Sequence, residues 1–159
     1  MSTLVRNDTN LQVMRLLVPI NATDESRWGI RYALRQHREG KPIEVVLLNI
    51  GEPVTQWQVL RFRTQQEVAE FQALRAQSFI DDASAALVAE NVPWRGLFRQ
   101  GKRVFSILDA AEELECHQIV MPAPKKSVAN IFCGGVVSGV RQEQRDVPLV
   151  VVNSAGEPV

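Results

Sequence analysis

Five short apolar runs alternate with helix-length segments along this chain, and that alternation restricts the fold more than any other feature. The runs lie at residues 14–20, 44–50, 94–100, 118–121 and 147–152. Those at 14–20 and 44–50 are almost continuously apolar, the pattern of a strand covered on both faces rather than one. The segments between successive runs are long enough for crossovers, so the strands can pair in parallel. Right-handed crossovers then give an α/β fold: an open, doubly wound, five-stranded parallel sheet with helices on both faces. The run at 94–100 is more polar, and the run at 147–152 contains Pro148, which cannot donate to a ladder; both features predict sheet edges.

Helical patterns fill the gaps. One is predicted over 24–38, opened by the capping residues and acids of Asn21-Ala22-Thr23-Asp24-Glu25-Ser26 and stopped at Gly40-Lys41-Pro42. Trp28, Tyr32 and Leu34 are its inward candidates. A second spans 64–91, with Val68, Phe71, Leu74, Ala83 and Leu87 expected on one face. Asn91 suits its left-handed terminus, and Pro93 forbids continuation. A third covers 104–115, with Ile107, Ala111 and Leu114 at helical spacing, and a fourth covers 135–143. Residues 51–63 form a connection carrying Trp57, Val59, Leu60 and Phe62; Trp57 and Leu60 are candidates for docking another protein, although a tryptophan there also suits a lid or core.

One domain accounts for residues 14–153, with a flexible segment at 1–13 and a tail at 154–159. Lysine plus arginine and aspartate plus glutamate number eighteen each, so no global field recruits nucleic acid or acidic lipid. No run of about eighteen apolar residues offers a membrane span. The opening residues lack the apolar core of a secretion signal, which points to the cytoplasm. Cys116 and Cys133 are too few and too far apart for a zinc knuckle and read as buried free thiols. His37 and His117 have no evident partner, so the sequence offers no metal site and no Ser-His-Asp or Cys-His constellation. No catalytic residue is assigned, and the chain is read as a non-enzyme.

The most informative stretch runs from Gln118 to Gly139. A buried strand, Ile119-Val120-Met121, breaks into Pro122-Ala123-Pro124-Lys125-Lys126-Ser127, and Gly134-Gly135 precedes the next helix. A strand, a loop and a helix opening at glycine is the layout by which α/β proteins hold a phosphate on a helix N-terminus. Here the first half of the loop is proline and lysine, where close backbone approach would call for glycine. Lys125 and Lys126 could meet phosphates as point charges, or they could simply be a solvated face, with Gly134-Gly135 letting the helix start close to the sheet. The loops after the first and fourth strands flank the switch-point crevice of such a sheet.

These residues resemble the universal stress protein family. Leu16-Leu17-Val18-Pro19-Ile20-Asn21 resembles its opening strand, which usually ends valine-proline-valine-aspartate. Phe98-Arg99-Gln100-Gly101 followed by Ile107-Leu108-Asp109-Ala110-Ala111-Glu112-Glu113-Leu114 resembles its third strand and helix. Ile119-Val120-Met121 and Val147-Pro148-Leu149-Val150-Val151-Val152 resemble its fourth and closing strands. The resemblance implies a sheet in the order 3-2-1-4-5, as in the adenine nucleotide alpha hydrolase-like folds. It also implies a cytoplasmic stress-response or regulatory role and a homodimer paired through the last strand, here Val147, Leu149, Val150, Val151 and Val152.

Members of the family that bind ATP carry glycine, two residues, glycine, nine residues, then glycine with serine or threonine, directly after the methionine strand. Transferred onto this chain, the first glycine falls on Pro122 and the second on Lys125. The third is kept as Gly135, the hydroxyl residue becomes Val136, and the aspartate ending the first strand becomes Asn21. The degenerate nucleotide site implied by the resemblance comprises Pro19, Ile20, Asn21, Met121, Pro122, Lys125, Gly135, Val136, Val137 and Ser138. No cofactor is expected from so altered a motif; ATP or AMP is what it would take if it still binds.

Overall fold

The computed structural model describes residues 12–52, 63–124 and 134–159. Strand β1 (Met14–Pro19) is followed by a 3-10 turn (Asp24–Arg27) and α1 (Trp28–Arg38). Then come β2 (Ile43–Gly51), α2 (Gln65–Ala89), β3 (Trp94–Gln100), α3 (Arg103–Glu113), β4 (Gln118–Pro122), α4 (Gly134–Gln142) and β5 (Leu149–Val152). All neighbouring strands are parallel, in the order β3-β2-β1-β4-β5, which places β3 and β5 at the edges as their composition predicts. In register, Leu16 sits opposite Val45 and Gln118, and Val46 opposite Arg95.

Alternation along the strands divides the core into two halves. Leu16, Val18, Val45, Leu47, Val120 and Val152 face α1 and α2. Leu17, Val46, Leu48, Ile119, Met121 and Val151 face α3 and α4. The side chains of Leu16, Leu17, Val45, Val46 and Leu47 are fully buried. Removing such strands from water on both faces is what a continuous apolar run achieves and an alternating one cannot.

The structure corrects several expectations. The helix predicted from residue 24 opens as a 3-10 turn, and Thr23 makes no side-chain cap to it. The polar groups that would cap the helix are used within the loop itself, as the site geometry shows. On α2, Phe71 and Leu74 are exposed at 59% and 72% instead of facing inward. The buried stripe is Ala76, Ile80, Ala83, Ser84 and Leu87. Ala76, Ile80, Ala83 and Leu87 recur at four-and-three spacing, whereas Phe71 falls off that stripe and, with Phe79, flanks the Arg75 guanidinium at 5.8 and 5.4 Å. Tyr32, Leu34, Ile107 and Ala111 are buried as expected. Asn91 adopts φ 57°, the left-handed terminus predicted for it.

His117 is not isolated. Its Nδ1 accepts the backbone N–H of Arg15 at 2.9 Å, and its own N–H donates to the Arg15 carbonyl at 2.8 Å. It thereby tethers β4 to β1 at the amino-terminal end of the sheet. Cys116 is buried, and its thiol is pushed up to about 11 by burial, which outweighs the opposing pull of Arg15 and Arg95. Cys133, Trp57 and Leu60 lie outside the described residues.

Candidate functional site

The carboxyl ends of β1 and β4 frame a cleft of about 400 Å³. It sits where a doubly wound sheet must open: β1 connects toward one face and β4 toward the other, so their following loops diverge. Its floor is the end of the sheet, including Ile20, Leu48 and Met121. One wall is the β1 loop, the other the β4 loop and the first turn of α4.

The β1 loop is built by three polar side chains that satisfy one another. Asn21 Oδ1 accepts the Thr23 N–H at 2.8 Å and the Thr23 hydroxyl at 2.6 Å. The buried Ser26 hydroxyl accepts the Asn21 N–H at 3.2 Å and donates to the Thr23 carbonyl at 2.7 Å. Beneath them, the Asn49 side-chain amide donates to the Ile20 carbonyl at 2.8 Å, while the Ile20 N–H donates to Leu48. Backbone groups of Ile20, Asn21 and Thr23 that a β-to-helix turn would leave unpaired are thus occupied. The side-chain oxygen of Asn21 is committed to its own loop.

The opposite wall is apolar. Met121, Pro122, Ala123 and Pro124 lead away from β4, and Val136 and Val137 project from α4. Pro122 has no N–H to offer a ligand, and Val136 has no hydroxyl. Ser138 is exposed on α4, and neither it nor Gly135 lines the cleft. A Cβ added at Gly135 would meet nothing within 4 Å, so close packing does not require glycine there. The tight contact lies one turn later: a Cβ at Gly139 would come within 2.8 Å of Val104 Cγ2, so it is Gly139 that seats α4 against α3. Lys125, Lys126 and Ser127 lie outside the described residues.

Of the residues named from sequence, the cleft therefore gathers Pro19, Ile20, Asn21, Met121, Pro122, Val136 and Val137. It also holds two charged groups, of which the sequence pointed to one, Glu25, and not to the other, Arg103. Arg103, at the start of α3, lines the cleft with its guanidinium 3.1 Å from the Glu52 carboxylate. Glu25, a first-turn acid that with Asp24 puts negative charge where a phosphate would approach, also lines it. The signal for Arg103 was available: two residues past Gly101, it stands at the carboxyl end of β3, on the same rim as the other loops. Among the described residues, no group of three or more His, Cys, Asp or Glu is placed to hold a metal ion.

An open parallel sheet with a crevice between its first and fourth strands is the framework of many nucleotide-handling α/β proteins. The universal stress protein family matches residues 13–153, and the chain belongs to that family. Among solved structures, universal stress protein UspA from Lactobacillus plantarum superposes with a TM-score of 0.71 at 16% identity, covering 87% of this chain and 97% of its own. A universal stress protein in complex with cAMP gives 0.66 at 12% identity, covering 89% and 97%. One from Archaeoglobus fulgidus in complex with dAMP gives 0.60 at 14% identity, covering 87% and 96%. At these identities the likeness establishes the fold. A comparison with curated protein sequences gives no match. No helix among the described residues is long and apolar enough to cross a membrane.

Proposed function

We propose that this chain is a cytoplasmic regulatory module of the universal stress protein family whose cleft binds adenine nucleotides weakly or not at all. The observation that carries this reading is the chemistry of the cleft wall. The cleft has kept its place between β1 and β4, but Pro122 and Val136 stand where a phosphate would need an N–H and a hydroxyl. Asn21 spends its side-chain oxygen on Thr23. A hydrogen bond to a charged phosphate contributes about 1.5–3 kcal/mol. A lysine in place of a left-handed glycine, as expected at Lys125, costs about 1–2 kcal/mol. Together these lower affinity by roughly two to four orders of magnitude, at about 1.4 kcal/mol per factor of ten.

The test is calorimetric titration of ligand-stripped protein with ATP, AMP and cAMP, beside the variant N21D/P122G/K125G/V136S. Little or no heat from the natural chain, and a tightening of two orders or more in the variant, is expected. Stoichiometric nucleotide carried through purification of the natural chain would overturn the reading.

A second reading, a nucleotide-dependent switch with at most slow ATPase activity, draws on the cAMP and dAMP complexes of the structural relatives. Lys125, with Gly135 and Ser138, would then hold the phosphates and Asn21 the adenosine side. It predicts a rise in melting temperature with millimolar ATP that Lys125→Ala abolishes; an unchanged melting temperature at every nucleotide concentration ends it.

A further inference from the structure

β5 is an edge strand of four apolar residues, Leu149-Val150-Val151-Val152, with no charge or proline among them. Such an edge is a template for another strand. Its inward groups are used: Pro148 and Val152 carbonyls accept the N–H groups of Ile119 and Ala123. Backbone groups alternate along a strand, so those of Leu149, Val151 and Asn153 point to the open side. The chain itself meets two of these groups, at the carboxyl-terminal end of the edge. Residues 153–159 turn back so that the Val159 N–H donates to the Val151 carbonyl and the Asn153 N–H to the Glu157 carbonyl, both at 2.9 Å, with Val152 bridged antiparallel to Pro158.

The turn is built and anchored. Asn153 Oδ1 accepts the N–H groups of Ala155 and Glu157 at 3.0 Å. Gly156 is buried at φ 76° against α1, where a Cβ would come within 2.6 Å of the Arg31 and Tyr32 backbone. Arg31 donates to the Ser154 carbonyl, and Arg35 lies 3.4 Å from the Glu157 carboxylate.

We propose that residues 153–159 are a strap that occupies the carboxyl-terminal end of the open edge of β5 and keeps it from pairing with a second copy of this chain. A homodimer paired through the last strand, as expected over Val147, Leu149, Val150, Val151 and Val152, would need the open-side groups of that strand, the Val151 carbonyl among them. A tethered segment competes at an effective concentration of about millimolar, so an equivalent strand from a second chain at micromolar concentration loses by roughly a thousandfold. Pairing through β5 then requires release of the strap. The inference stands apart from the cleft and its ligand.

Sedimentation equilibrium tests it on three chains: the natural one, Gly156→Val, and one lacking residues 154–159, with folding checked by circular dichroism. Valine at 156 cannot take the strap's backbone conformation or its place against α1, so both changes free the edge. The expected result is self-association tightened at least about tenfold in a folded variant, reversed by adding a peptide of residues 153–159. Unchanged association in every folded variant, or tightening that the peptide does not reverse, overturns the proposal. If neither variant folds, amide exchange in the natural chain decides. Slow exchange at Asn153 and Val159 is expected, and exchange at the rate of an unstructured chain overturns it.

Discussion

The side-chain amide of Asn49 donates to the backbone carbonyl of Ile20 across 2.8 Å, joining the carboxyl end of β2 to the first residue beyond β1. Asn49 is one of three buried polar residues among those described, and only 7% exposed. Its partner lies on the floor of the cleft. Asn49→Leu leaves the Ile20 carbonyl without this donor at a buried position and should destabilise the fold by about 1–3 kcal/mol. The measurement is the midpoint of urea unfolding at unchanged slope.

Asn21 and Ser26 separate charge from loop architecture. Only the Oδ1 of Asn21 is engaged, as an acceptor, so aspartate can keep both bonds to Thr23. Asn21→Asp should therefore change stability by less than about 0.5 kcal/mol. Ser26→Ala, by contrast, removes a buried hydroxyl that bonds the Asn21 N–H and the Thr23 carbonyl, and should cost about 1–3 kcal/mol. Equal losses in the two variants, measured by denaturant unfolding, would contradict this account of the loop.

Gly139 and Val104 set the spacing of α3 and α4. A Cβ at 139 meets Val104 Cγ2 at 2.8 Å, so Gly139→Ala must push the helices apart or shift Val104. Overpacking costs about 1–3 kcal/mol, against a gain of up to about 1 kcal/mol from replacing a helical glycine. Val104→Ala opens room for the new methyl. A double-mutant cycle should show the pair more stable than the sum of the singles by about 0.5 kcal/mol or more, and additivity would deny the contact.

Cys116 should be inert toward thiol reagents in the native protein. Burial raises its thiol from 9.0 to about 11, so at neutral pH almost none is thiolate. Rapid labelling is expected only on unfolding. The folded state holds this proton longer than the unfolded one. The stabilising contribution is therefore fully present below about pH 9 and declines as pH rises toward about 11. Replacing Cys116 with Ser should abolish that part of the alkaline loss, read from thermal unfolding across this range.

Some features of this fold were legible one residue at a time. The double-sided burial of β1 and β2 follows from unbroken apolar runs, because a strand covered on both faces has no side for polar residues. Asn91 and Pro93 announced the end of α2 because left-handed backbone and a missing N–H are local facts. The position of the cleft was legible too, since the switch point follows from the order of strands and crossovers. Phe71 and Leu74 misled because hydrophobicity alone does not say which stripe of a long helix will lie against a sheet; here it is that of Ala76, Ile80, Ala83 and Leu87.

By itself, then, the sequence determined the alternating elements, the parallel sheet, and the proline, lysine and valine at positions 122, 125 and 136. These depend on the period of apolar residues and on the presence or absence of particular atoms, which tertiary packing cannot alter. Only the folded structure decided that Arg103 reaches the cleft beside Glu52, that Asn21 is consumed by its own loop, and that residues 153–159 lie along β5. Each joins groups whose meeting depends on how the backbone turns and how the layers stack. A hydrogen bond or a covered edge is settled by distances of a few tenths of an ångström, and composition does not encode those.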